Sequence, residues 1–129
     1  MQEKIKLKIT QIEEESIECF SCIQADYPNL NDKNKVPIWF GLEFITDTIS
    51  LLTIKNVESS DIILSASKIE YLAESFKLGQ KIIIEAKKVH EKDGIKLFEG
   101  KVIDKESSKL LVSAFIKTTA AFEASLANV

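Results

Sequence analysis

The stretch from Pro37 to Ile54, Pro-Ile-Trp-Phe-Gly-Leu-Glu-Phe-Ile-Thr-Asp-Thr-Ile-Ser-Leu-Leu-Thr-Ile, constrains the fold more than any other part of the chain. Ile38, Leu42, Ile45, Ile49 and Leu52 recur at steps of four and three, which marks one continuous helical face over residues 38–54. Phe40, Phe44, Leu51 and Ile54 cover much of the rest, and a helix apolar on most sides is expected to be buried on most sides. Glu43, Thr46, Asp47 and Ser50 interrupt it as a narrow polar stripe within about 100° of arc. Two carboxylates one turn apart on such a helix are the first candidates for chemistry. Like charges this close on a mostly buried surface predict that one of the two titrates upward, as a general acid or base near neutral pH requires.

The chain has 129 residues, enough for one domain (1–129) with a core of its own. A net charge of −3 argues against general nucleic-acid binding, which needs a basic footprint. All 17 basic residues are lysine, so no guanidinium fork is on hand to clamp a phosphate or carboxylate. No apolar run follows a basic start, and Glu43 and Asp47 make the long helix an expensive membrane span. These features predict a soluble, cytoplasmic protein that does not engage membranes.

Cys19 and Cys22 form a C-x-x-C inside Ser16-Ile-Glu-Cys-Phe-Ser-Cys-Ile-Gln-Ala25, which reads as a strand. Residues three apart on a strand point to opposite faces, so the two thiols are not expected to share a metal. A zinc ribbon would also need a second pair. Two small buried or half-buried hydrophobes are the expectation, with no metal site.

Residues 4–9 alternate Lys-Ile-Lys-Leu-Lys-Ile and predict a half-buried strand with Ile5, Leu7 and Ile9 on one face. Ile17 to Ala25 returns as its hairpin partner. Residues 27–35 read as loop, and Val36-Pro37 leads into the helix. Ile62 onward reads as a kinked strand to about Tyr71, and Leu78-Gly79-Gln80 as a turn. Gln80 to His90 is a strand, Asp93-Gly94 a tight hairpin, Ile95 to Ile103 the returning strand, and Lys109 to Thr119 the last. Residues 119–129 have short helical or frayed character. Two strands, one long helix and four strands in an antiparallel meander predict an α+β fold of about six strands wrapped around the helix.

This order, with Val36-Pro-Ile-Trp-Phe-Gly-Leu-Glu-Phe-Ile-Thr-Asp47, resembles the hotdog fold of acyl-thioester enzymes. Within that fold the chain is most similar to the 3-hydroxyacyl-[acyl carrier protein] dehydratase family, in the branch of dehydratase-like proteins of aryl polyene synthesis. Phe76-Lys-Leu-Gly-Gln-Lys-Ile82 and Phe98-Glu-Gly-Lys-Val-Ile-Asp104 are similar to the family's turn and closing hairpin, and the likeness spans residues 5–118. The resemblance implies a 3-hydroxyacyl thioester substrate, on acyl carrier protein or coenzyme A, and no cofactor. It also implies a dimer whose sites pair a loop histidine with the helix glutamate.

Glu43 stands at the glutamate position. The histidine should fall between Asp26 and Asn31 and is missing, and Asp47 replaces the family's glutamine. His90, the one histidine, precedes the Asp93-Gly94 hairpin. Glu43 and Asp47 are therefore the candidate catalytic pair, with backbone N–H groups near Trp39–Leu42 available to polarise a thioester carbonyl. Three readings follow: a dehydratase-like protein, a thioesterase using a helix carboxylate, or a non-catalytic partner of an active hotdog dehydratase. The assembly is accordingly a homodimer or a heterodimer. Lys33, Lys35, Lys87 and Lys88 are candidates to meet a phosphopantetheine or an acidic carrier.

Overall fold

A computed structural model describes residues 6–24, 35–56 and 61–120. Its elements are β1 (Lys8–Ile12), β2 (Ser16–Cys22), β3 (Lys35–Pro37), α1 (Phe40–Asn56), β4 (Asp61–Tyr71), β5 (Ser75–Lys77), β6 (Lys81–Lys92), β7 (Ile95–Asp104) and β8 (Leu110–Ala120). Six strands form an antiparallel sheet in the order β1-β2-β6-β7-β8-β4, and β3 and β5 pair separately. The helix lies on one face of the large sheet, so the expected α+β architecture is present.

Strand alternation builds the core. On β2, Ile17, Cys19 and Ser21 turn inward; on β6, Ile82, Ile84 and Ala86 do the same; Phe98, Val102, Val112, Ala114 and Ile116 continue the layer. The helix answers with Phe44, Ile45, Ile49 and Leu52, all buried. Two glycines set how closely the layers approach. A Cβ on Gly41 would sit 2.6 Å from Val112 Cγ2, and one on Gly100 would overlap Ile45 Cγ2. The helix hydroxyls are satisfied locally: Thr46 and Thr53 donate to carbonyls three residues back, Thr48 and Ser50 to carbonyls four back. Buried Thr48 and Thr53 therefore leave no hydroxyl proton stranded in the core.

The Asp93-Gly94 hairpin forms as its sequence predicts, with φ of 53° and 79° at the two central residues. The kink expected before Tyr71 is a bulge between Ser67 and Glu70, where Lys68 takes a φ of 50°.

Four expectations need correction. The meander runs only from β6 to β8. β4 lies at the far edge and pairs with β8, because β5 and the following turn carry the chain back across the helix entry to β6. β3 and β5, three residues each, are too short to show periodicity, yet they bury Val36 and Phe76. β1 starts at Lys8, and a register shift between Ile9 and Gln11 leaves Ile9 exposed while Leu7 still packs on the core. Finally, α1 starts at Phe40, two residues later than its periodicity suggested, although Ile38 ahead of it is buried. Ile5, the loop expected over residues 27–35 up to residue 34, and the tail from residue 121 lie outside the described residues.

Candidate acyl-thioester site

The polar stripe lies on the side of α1 turned away from the sheet. Glu43 is exposed; Thr46, Asp47 and Ser50 are half-buried. Asp47 is the more enclosed of the acids, with its Oδ2 sealed from solvent. The expected pair of buried carboxylates is thus one open and one partly enclosed group, a turn apart on one face. The helix is less enveloped than its composition suggested, since Phe40, Leu42 and Leu51 stay half-buried and only pack against the core's rim.

At the head of the helix, the Gly41 amide donates to the Ile38 carbonyl at 2.9 Å and the Leu42 amide to the Trp39 carbonyl at 3.2 Å. Two of the amides expected to polarise a carbonyl are therefore already engaged in the entry turn. Trp39 is the residue the sequence reading undervalued. It is 55% exposed and stacks on Phe40 with ring centroids 4.4 Å apart. Its position at the entry to the helix, four residues before Glu43, was the available signal.

His90 is exposed on β6, opposite Leu97 of β7. That end of the sheet meets the far end of the helix, where a cleft is lined by Leu52, Thr53, Lys88, Glu91, Lys96 and Phe98. Glu43 is nine residues nearer the helix start, about 14 Å along the axis. His90 and Glu43 therefore belong to opposite ends of the molecule.

The lysines do not converge either. Lys88 is held between Glu15 at 3.5 Å and Glu91 at 2.5 Å. The Glu91 carboxylate raises the Lys88 pKa, and Lys88 in turn holds Glu91 below the usual carboxylate range. Lys35 is on the small β3–β5 sheet, Lys87 is exposed on β6, and Lys33 lies outside the described residues.

Cys19 is fully buried and Cys22 half-buried, on opposite faces of β2 as expected. Burial pushes the Cys19 thiol up, and its contact with the Thr48 hydroxyl opposes that rise. Among the described residues no three His, Cys, Asp or Glu side chains come together to hold a metal ion. Among the same residues no helix is long and apolar enough to cross a membrane.

One helix laid on a six-stranded antiparallel sheet, with a carboxylate in its first turns, is the hotdog fold. The smu.793 protein of Streptococcus mutans UA159, solved bound to acetyl-CoA, shares it at a TM-score of 0.77 and 16% identity, over 94% of this chain and 93% of that one. A hypothetical thioesterase of Streptococcus pneumoniae TIGR4, solved with coenzyme A, follows at 0.76 and 14%, over 90% and 89%. The dehydratase heterocomplex ApeI:P of Xenorhabdus doucetiae matches at 0.75 and 17%, over 88% and 80%. Identities this low establish the fold alone. No curated protein sequence matches the chain at a significant level. The family model for ApeP-like proteins, described as ApeP dehydratase, matches residues 7–127, and the chain belongs to that family. It is a dehydratase-like hotdog protein.

Proposed function

We propose that this chain is one subunit of a two-chain dehydratase acting on 3-hydroxyacyl thioesters, supplying the helix carboxylate while a histidine-bearing hotdog subunit supplies the base. The observation that carries this reading is the separation of Glu43 from His90, the chain's one histidine, at opposite ends of the helix. In the proposed reaction the partner's imidazole takes a proton from C2 of the substrate. The Glu43 carboxyl group gives its proton to the departing C3 hydroxyl, releasing water and leaving a 2-enoyl thioester. The proton held by the imidazole then returns to the carboxylate, which closes the cycle. Asp47 stands one turn on along the same side of the helix.

The open edge of the sheet supports a partner beside this site. On β4 and just after it, Ile62, Ile63, Leu64, Ile69, Tyr71 and Leu72 are 39–53% exposed, on a terminal strand that ends the sheet. An apolar edge strand is a template for pairing with another chain. Tyr71 is in register with Val112, and Val112 packs against Gly41, two residues before Glu43. A subunit added along β4 therefore lies next to the helix turns that carry the carboxylate. The structural likeness to the ApeI:P heterocomplex agrees with a hotdog partner, and the likeness to proteins solved with acetyl-CoA and coenzyme A agrees with a thioester ligand. Acyl carrier protein or coenzyme A carries the substrate in this proposal, and the cytoplasm is its compartment.

A second reading is hydrolysis. A thioesterase needs a carboxylate and water rather than an imidazole, and Glu43 is open to water. One assay separates the two. The purified chain, alone and mixed with a histidine-bearing hotdog dehydratase, is given 3-hydroxyacyl and saturated acyl thioesters. The proposal expects dehydration above the partner's own rate in the mixture and none from the chain alone. Hydrolysis of saturated thioesters by the chain alone would instead establish the thioesterase.

A further inference from the structure

Tryptophan is on average a well-buried residue, yet the one tryptophan of this chain is 55% exposed. Trp39 is not loose. Phe40 backs its ring at a centroid distance of 4.4 Å and an interplanar angle of 21°. Trp39 lies in the turn that leads directly into α1, four residues ahead of Glu43, and the Leu42 amide donates to its carbonyl at 3.2 Å. An exposed aromatic ring backed by a second ring is a preorganised surface for an apolar or planar group.

We propose that Trp39 is a positioning residue for the acyl thioester, its exposed ring carrying the part of the substrate that lies toward the helix entry from the carbon served by Glu43. The inference rests on the reading of Glu43 as the dehydratase carboxylate. It goes beyond that reading by assigning the contact that fixes where along the helix the substrate stops. The ring contributes no proton and no charge to the reaction. Its effect is on binding and register, so its loss falls on KM more than on kcat.

The test labels this chain alone with fluorotryptophan, which gives one fluorine resonance from Trp39, and assembles it with an unlabelled histidine-bearing hotdog dehydratase. A medium-chain 3-hydroxyacyl-N-acetylcysteamine thioester is the probe, with turnover measured on the same complex. The resonance is expected to shift saturably as thioester is added. Trp39→Ala is expected to raise KM about tenfold, the loss of one aromatic contact, with kcat changing far less. Trp39→Phe, which keeps a ring, should restore most of the affinity; circular dichroism confirms that each variant is folded. If turnover depends on Glu43 while the resonance stays fixed and Trp39→Ala leaves KM alone, the Trp39 assignment is overturned and the dehydratase reading survives. A shift on adding the partner, with none on adding thioester, also overturns it, because Trp39 would then anchor the subunit rather than the substrate. Absence of turnover and of any shift on adding thioester, even in the complex, overturns both.

Discussion

Gly100 of β7 lies so close beneath Ile45 of α1 that a side chain at position 100 has no room. The contact is in the middle of the helix–sheet interface, where both residues are fully buried. Gly100→Ala should therefore destabilise the fold by about 1–3 kcal/mol through overpacking. Chemical denaturation of Gly100→Ala, Ile45→Ala and the double variant checks this. The double variant should cost less than the sum of the two, since removing the Ile45 branches clears the space that the new methyl needs. Additive losses would mean that the two residues do not oppose each other.

The Asp93-Gly94 turn offers a second test. Gly94 has a φ of 79°, a conformation that costs an L-residue about 1–2 kcal/mol. Gly94→Ala should lower stability by roughly that amount. Its effect should be concentrated in hydrogen-exchange protection of the β6–β7 hairpin end, with little change near Gly100.

The sequence made the central helix, the β6–β7–β8 hairpins and the opposed cysteine faces legible, because each rests on a local period or on turn chemistry. Ile62 to Tyr71 shows what a local period cannot reveal. Its apolar residues suggest burial, but β4 is the terminal strand of the sheet and stays exposed on both faces. Position in the sheet is a long-range property. The same limit applies to the site. Glu43 and Asp47 could be placed on one helical side from spacing alone, whereas the exposure of Glu43 and the sealing of one Asp47 oxygen depend on what packs against the helix. Trp39 was visible at the helix entry, yet nothing local distinguishes an exposed tryptophan from a core one.

Acid stability should report the turn after β7. The Gln80 side-chain amide donates to Asp104 Oδ1 at 2.9 Å, and the Ser107 hydroxyl and backbone N–H donate to Oδ2. These bonds, Gln80 first, hold the Asp104 carboxyl below its ordinary range. A depressed folded-state pKa means a stabilising contribution that is complete above the unfolded value near 3.8 and lost as pH falls through the lower folded value. Asp104→Asn should be less stable than the wild type at neutral pH, and the gap should close on acidification below about pH 4. Urea unfolding across that range checks the sign.

The two cysteines should behave differently toward a thiol reagent. Cys19 is fully buried, and burial raises its thiol pKa; Cys22 is half-buried, with its Sγ 3.6 Å from the Gly79 carbonyl. Alkylation of the native protein, read by mass spectrometry, should modify Cys22 well before Cys19, and both at similar rates in denaturant. Rapid native labelling of Cys19 would mean that β2 opens readily.

The most direct test of the proposed function is the dehydration rate of the mixed complex carrying Glu43→Gln, a change at an exposed position that preserves side-chain size. Removal of a general acid predicts a fall in kcat of about 10²-fold or more with little change in KM, and with the complex still assembled by size exclusion. Dehydration at the unmodified rate by an intact Glu43→Gln complex would contradict the assignment of the helix carboxylate to this chain.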